Sequence, residues 1–226
     1  MESAYGFVAL VVIVALTMLV RHVRDDRRRS VVSQFAQAQG WTFAAADPAL
    51  VNRWRGIPFD DGYEREARNV QTGNRNGRAF IAFDYTYVTR GSGRRSQLIR
   101  VRHNFGVVAI PLPGALPPLM VEPQNRLIAA LGGEDFDLES ERFNEAFRVR
   151  ADDQRFGHAV LHPRLMELLL QRGELSWRIH GDTLLGWARG RHEPSEALWR
   201  LDLLAEIADH VPPYVWRDYA NVDPRR

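Results

Sequence analysis

The feature that most constrains this chain is the run Ala4 to Val20, AYGFVALVVIVALTMLV, in which seventeen consecutive residues carry no charge. At a rise of about 1.5 Å per residue a helix over this run reaches about 25 Å, the short end of what crosses a bilayer, and snorkelling of Arg21 would extend it. The run predicts a transmembrane helix over residues 1–20. A cleaved secretory signal fits less well, because Glu2 stands where arginines are expected and no small-x-small cleavage site precedes Arg21. A core helix would have to hide Val8, Val11, Ile13, Leu16 and Leu19 on all sides, which a domain of this size rarely does.

The flanks orient the segment. Arg21, Arg24, Arg27, Arg28 and Arg29 follow it, opposed by Asp25 and Asp26, whereas only the amino terminus and Glu2 precede it. Positive residues stay inside, so the expectation is a single-pass protein of the cell membrane with its amino terminus outside and its domain in the cytoplasm. The same five arginines are candidate contacts to anionic lipid, worth on the order of 1 kcal/mol each, which makes the membrane bilayer an expected partner. Cysteine is absent, which excludes disulfides, thiolate zinc sites and a cysteine nucleophile, and suits a reducing compartment. All 30 basic residues are arginine, but 28 acids leave a net charge of only +2, so no specific nucleic acid partner is expected.

Behind the basic segment, 21–29, the pattern predicts one domain over 30–213 and a tail over 214–226. Ser30 is placed to cap a helix carrying Val31, Val32, Phe35 and Ala38, with Gly40 to end it. Asp47-Pro48 reads as a cap and first-turn pair. Alternation over 79–89 sets Ile81, Phe83, Tyr85 and Tyr87 inward against Ala82, Asp84 and Thr86, and over 97–105 it sets Ile99, Val101 and Phe105 inward. With a strand near 67–71 turning through Gly73 to Gly77, these make an antiparallel β-meander. Pro111, Pro113, Pro117 and Pro118 mark a seam or crossing loop at 111–118. A helix over 125–131, a strand at Phe147 and Val149, a cap at Asp152 or Asp153 and a break at His162-Pro163 follow. Leu175, Trp177 and Ile179 are set to pair across Gly181-Asp182 with Leu185 and Trp187 as a hairpin, and a last helix runs from Pro194 to His210. The fold class expected is α+β: an amino-terminal transmembrane helix, then an antiparallel meander with flanking helices.

Chemistry-bearing patterns are sparse. His158 and His162 have helical i,i+4 spacing, but Pro163 breaks the geometry and no glutamate adjoins the first histidine, so no metal is expected. The acids Glu134, Asp135, Asp137, Glu139 and Glu141 lack the glycine of a calcium loop. The glycines between 73 and 93 lie at hairpin tips without a helix to follow, and no G-x-S-x-G elbow occurs, so neither a catalytic residue nor a cofactor is assigned. Arg90, Arg94, Arg95, Arg100 and Arg102 form the one local cluster able to face a polyanion, with a solvated sheet face as the simpler identity.

From Ser140 to Asp153 the chain reads SERFNEAFRVRADD, followed by Leu161-His162-Pro163 and by Met166, Leu168 and Leu169. This resembles the pattern FNxxFxVxAxD, then LxP and a methionine-leucine run, of an uncharacterised bacterial domain-of-unknown-function family, often membrane-tethered, with similar chains in actinobacteria. The resemblance covers roughly residues 135–190. It implies an α+β domain at a membrane, with no activity and no functional residues to carry over. The functional expectation is an interaction or scaffold module facing the cytoplasm and holding a protein partner, the alternative being a membrane-tethered enzyme whose site is scattered through the chain. A deep polar pocket would favour the enzyme and an exposed apolar patch the module.

Overall fold

In a computed structural model, which describes residues 2–92, 98–124, 140–173 and 175–220, the chain opens with one long helix, α1 (Glu2–Ala38). It ends where Gly40 takes a φ of +71° and the Trp41 N–H turns back to the Ala36 carbonyl. No break separates 2–20 from 21–29 or from the domain. Ser30 lies inside the helix, its hydroxyl donating to the Asp26 carbonyl instead of capping a new element.

This element corrects the expectation of a spanning helix: among the described residues, no helix is long and apolar enough to cross a membrane. The uncharged run is the first half of a 37-residue helix whose second half carries Arg21, Arg24, Asp25, Asp26 and Arg27 to Arg29. By itself the run reaches about 25 Å, short of a hydrocarbon core of about 30 Å. The single-pass assignment, with amino terminus outside and domain in the cytoplasm, falls with it.

The rest of the chain is α+β. Strands β1 (Thr42–Ala46), β2 (Tyr63–Arg75), β3 (Arg78–Ser92), β4 (Leu98–Pro123), β5 (Phe147–Ala151) and β6 (Ser176–Arg189) form one antiparallel sheet, ordered β1-β2-β3-β4-β5 with β6 also on β4. Helices α2 (Glu141–Ala146), α3 (Gln154–Val160), α4 (Pro163–Arg172), α5 (Pro194–His210) and α6 (Pro213–Tyr219) complete it. Local chemistry sets the boundaries. Asp47 accepts from the Ala49 N–H to start a 3₁₀ turn at Pro48, and Asp153 accepts from the N–H groups of Arg155 and Phe156 to start α3. Asn76 and Gly77, both at positive φ, close the β2–β3 hairpin.

Strand β4 is the spine. Its first half pairs with β3 as far as Ala109, its last residues pair with β5 from Leu119 onward, and β6 follows it along its other edge. The four prolines therefore fall where β4 has a neighbour on one edge only, so their missing N–H groups delete few ladder bonds. Instead of a seam between subdomains, 111–118 is a bend, marked by register shifts around Leu116 and by Gly181 at φ +59° in β6. The expected hairpin across Gly181-Asp182 is corrected in the same way: both halves of β6 pair with β4, and the glycine redirects one strand. Arg178 and Trp187 measure the bend. Nine residues of straight strand would separate them by about 30 Å, yet the guanidinium lies 5.7 Å from the indole centroid.

Both faces of the sheet are covered. On the helix face, Ala36, Phe80, Val108, Val121, Trp177 and Leu204 belong to a core under α1 and α2 to α6. On the loop face, Leu50, Trp54 and Phe59 pack against Phe83, Tyr85 and Trp187. Ala82, Asp84 and Thr86, expected to meet water, are buried under α1, whereas Ile99 and Val101, expected inside, are exposed on the projecting end of the β3–β4 ribbon. Residues 214–219, read as the start of the tail, belong to α6, in which Val215 is buried. The helix over 125–131, the acids from Glu134 to Glu139, and Arg94 and Arg95 lie outside the described residues.

Trp177, Trp187 and Leu201 are buried as their spacing predicts. Replacing Leu201, 3% exposed in α5, with alanine is expected to cost about 2–5 kcal/mol in urea unfolding.

Candidate functional site

Two features stand out, one on each face of the sheet. On the helix face, the last turns of α1 are fixed to the sheet. Asp84 sits between Phe83 and Tyr85 on β3, 3% exposed at its side chain, and a carboxylate there needs a partner. Arg28 supplies it: Nε and Nη2 donate to the two carboxylate oxygens at 2.7 Å each, and Nη2 also donates to the His192 carbonyl at 2.7 Å. Asn69 donates to Asp84 at 2.7 Å from β2, and Arg191 pairs with Asp25 at 2.5 Å. Burial works against the charged guanidinium, but the bond to Asp84 and its charge outweigh that and raise the Arg28 pKa. Val32 and Ala36 bury one face of the same turns.

Toward its amino-terminal half α1 leaves the domain, every described side chain from Val12 to Arg24 being exposed, and the face opposite the latch is apolar. Val12, Leu16, Leu19 and Val23 recur at i, i+4, i+7 and i+11, joined by Ile13 and Val20, and all are exposed. At 3.6 residues per turn this stripe points away from the side that carries Arg28, Val32 and Ala36.

On the loop face, the bend brings the two arms of the sheet together around a cleft of about 340 Å³. Tyr87, Phe105 and Trp187 wall it from one arm; Glu122, Arg148 and Arg150 from the other; Ile57 and Asp61 reach over from the loop before β2. Arg150 pairs with Glu122 at 3.4 Å, and the Tyr87 hydroxyl donates to Asp61 at 3.4 Å. Burial raises the pKa of Glu122, while Arg150, Arg148 and Arg178 pull against it. Arg178, beneath the cleft, is held between the rings of Phe59 and Trp187 at 5.5 and 5.7 Å. Burial lowers its pKa to about 10, with Asp60 and Glu122 opposing, so it stays charged at neutral pH.

The predicted site residues do not assemble as a patch. Of the five arginines proposed for lipid, Arg28 is turned into the domain, Arg24, Arg27 and Arg29 are exposed, and the Arg21 side chain is outside the description. Of the proposed polyanion cluster, Arg90 and Arg100 face each other across β3 and β4 over the ring of Tyr63, Arg100 is paired with Glu64, and Arg102 is exposed. Among the described residues no group of three or more histidines or acids can hold a metal ion. Thr89 and His103 share a hydrogen bond of 2.8 Å, but it links two strands of the exposed ribbon, and the cleft itself offers Glu122 as its one raised carboxyl. Sequence reasoning missed Asp84 as a latch and Arg178 as a buried cation. The signal for both was a charge set between large apolar neighbours in a strand.

His192 lies inside the latch, where its Nδ1 and Nη1 of Arg200 have no hydrogen-bond partner, and a Cβ on Gly106 beneath would collide with both. Burial lowers its pKa to about 4; Asp84 opposes, while Arg200 and Arg28 add to the lowering. Because the unfolded chain takes up this proton from about pH 6.5 downward and the fold does not until about pH 4, stability is complete above 6.5 and is lost as pH falls between these values. The expected loss is about 3 kcal/mol at most. Urea midpoints measured from pH 7 to 4 should fall, and His192→Phe should flatten that slope.

No protein-family model matches the chain, and no curated protein matches it. Among solved structures the fold is similar to the crystal structure of the mycobacterial trehalose monomycolate transport factor A, TtfA, with a TM-score of 0.56 and 15% sequence identity over 83% of this chain and 96% of that one. At that identity the likeness shows a shared fold.

Proposed function

We propose that the chain is an interaction module in which the sheet domain holds α1 in a fixed pose and the stripe from Val12 to Val23 docks into an apolar groove of a protein partner. The observation that carries this reading is the exposure of Val12, Leu16, Leu19 and Val23 on the side of α1 that faces away from its latch. Contiguous exposed apolar surface is costly in water and marks interaction sites, and anchors at this spacing are those a helix presents to a groove. The bidentate bond between Arg28 and Asp84 supports it further, since a stem held in one orientation loses less freedom on binding. TtfA, which shares the fold, is by name a transport factor, and a helix built for docking agrees with such a role.

The test places a photoreactive residue at Leu19 or Val23 of the full chain in its native cell, with Glu167 in α4 as control. A discrete heterologous adduct from the α1 positions alone is expected. The identified protein, purified, should bind the chain, and Leu16→Asp with Leu19→Asp should abolish binding while leaving the melting temperature unchanged. Equal binding by the charged variant, or adducts formed with copies of this chain alone, would overturn the reading.

A further inference from the structure

We propose that the cleft between the two arms of the bent sheet binds a small organic anion, setting its carboxylate or phosphate among Arg148, Arg150 and Arg189, which line it, and a flat apolar ring against Trp187 and Tyr87. The volume of about 340 Å³ lies near the lower end for ligand pockets, which start at roughly 300 Å³, so the occupant is a small molecule and not a chain segment. Strand backbone on both sides forms the walls, so the site exists before the ligand arrives.

Charge selects the ligand. Arg148, Arg150 and Arg189 line the cleft against Glu122 and Asp61, which is three positive groups to two negative, and Arg178 nearby is within the field of Asp60 and Glu122. Both acids are engaged already, Glu122 with Arg150 and Asp61 with the Tyr87 hydroxyl. Arg189 makes no ion pair with a described residue. Arg178 is 7% exposed, and its Nε and Nη2 have no hydrogen-bond partner. Buried donors left in that state cost about 1–3 kcal/mol, and more when charged. Two aromatic rings hold this cation without a carboxylate in hydrogen-bond contact, and its charge, partly answered by Asp60 and Glu122, adds to the field of the lining arginines. The planar fork of an arginine suits carboxylate and phosphate alike, and the rings of Tyr87, Phe105 and Trp187 offer an apolar surface beside it.

The cleft is on the face opposite α1, so its test stands apart from the partner reading. The full chain is titrated, with nuclear magnetic resonance readout at the Trp187 indole and the arginine Nε–H groups, against benzoate, phenyl phosphate, inorganic phosphate and uncharged benzyl alcohol. Saturable shifts with benzoate, phenyl phosphate or both are expected, and whichever responds names the anionic group. Arg150→Gln and Arg189→Gln, at exposed positions, should each weaken binding by roughly tenfold or more without lowering the melting temperature. Four results would overturn the proposal: no saturable shift, benzyl alcohol binding as tightly as the anions, inorganic phosphate binding as tightly as phenyl phosphate, or affinity indifferent to both arginine variants.

Discussion

A carboxylate buried in the middle of a strand sets the terms for one whole side of this molecule. Asp84 cannot stay charged under a helix without a counter-charge, and Arg28 provides it from the element that covers it. Removing either member of such a pair strands the other in an apolar setting, typically at about 3–5 kcal/mol. The pair is also directional. A bidentate bond fixes the roll of α1 about its axis, which sets Val32 and Ala36 toward the core and turns the stripe from Val12 to Val23 to the side away from the latch.

The other face depends on a different constraint, the bend of β4 and β6. Prolines at 111, 113, 117 and 118 are tolerable because β3 pairing has ended and β5 pairing has not begun, and the same gap lets the strand turn. The bend carries Arg178 to Trp187 and opens a cleft whose lining no single stretch of sequence contains. Latch and cleft share the sheet but no side chains, so the two functional surfaces can be perturbed one at a time.

What the sequence revealed follows the range of the forces involved. Caps at Asp47 and Asp153, the break at Pro163 and the helix from Pro194 are local, and all are where their residues place them, while the turn read over Gly73 to Gly77 narrows to Asn76-Gly77. The buried identities of Trp177, Trp187 and Leu201 were legible from periodicity. The errors are long-range. Alternation predicted that Asp84 and Thr86 would meet water, because nothing local says that α1 returns to cover them. Gly181-Asp182 looks like a hairpin turn, and only the competing pairing of both flanks with β4 makes it a bend. Hydropathy also separated Ala4 to Val20 from the charges after it, whereas backbone hydrogen bonding runs one helix through both. Arg28 was visible as one of five similar arginines, with no local sign of which would turn inward.

The most direct test of the account is the pose of α1. The chain has no cysteine, so cysteines introduced at Leu16 in α1 and Glu167 in α4 are the sole sites for a pair of spin labels. Pulsed electron resonance on the otherwise unaltered chain should give one narrow distance distribution, and Asp84→Ala should broaden it while the sheet stays folded. A broad distribution with Asp84 in place, or a narrow one that Asp84→Ala leaves unchanged, would contradict the claim that the Arg28–Asp84 pair fixes the stem.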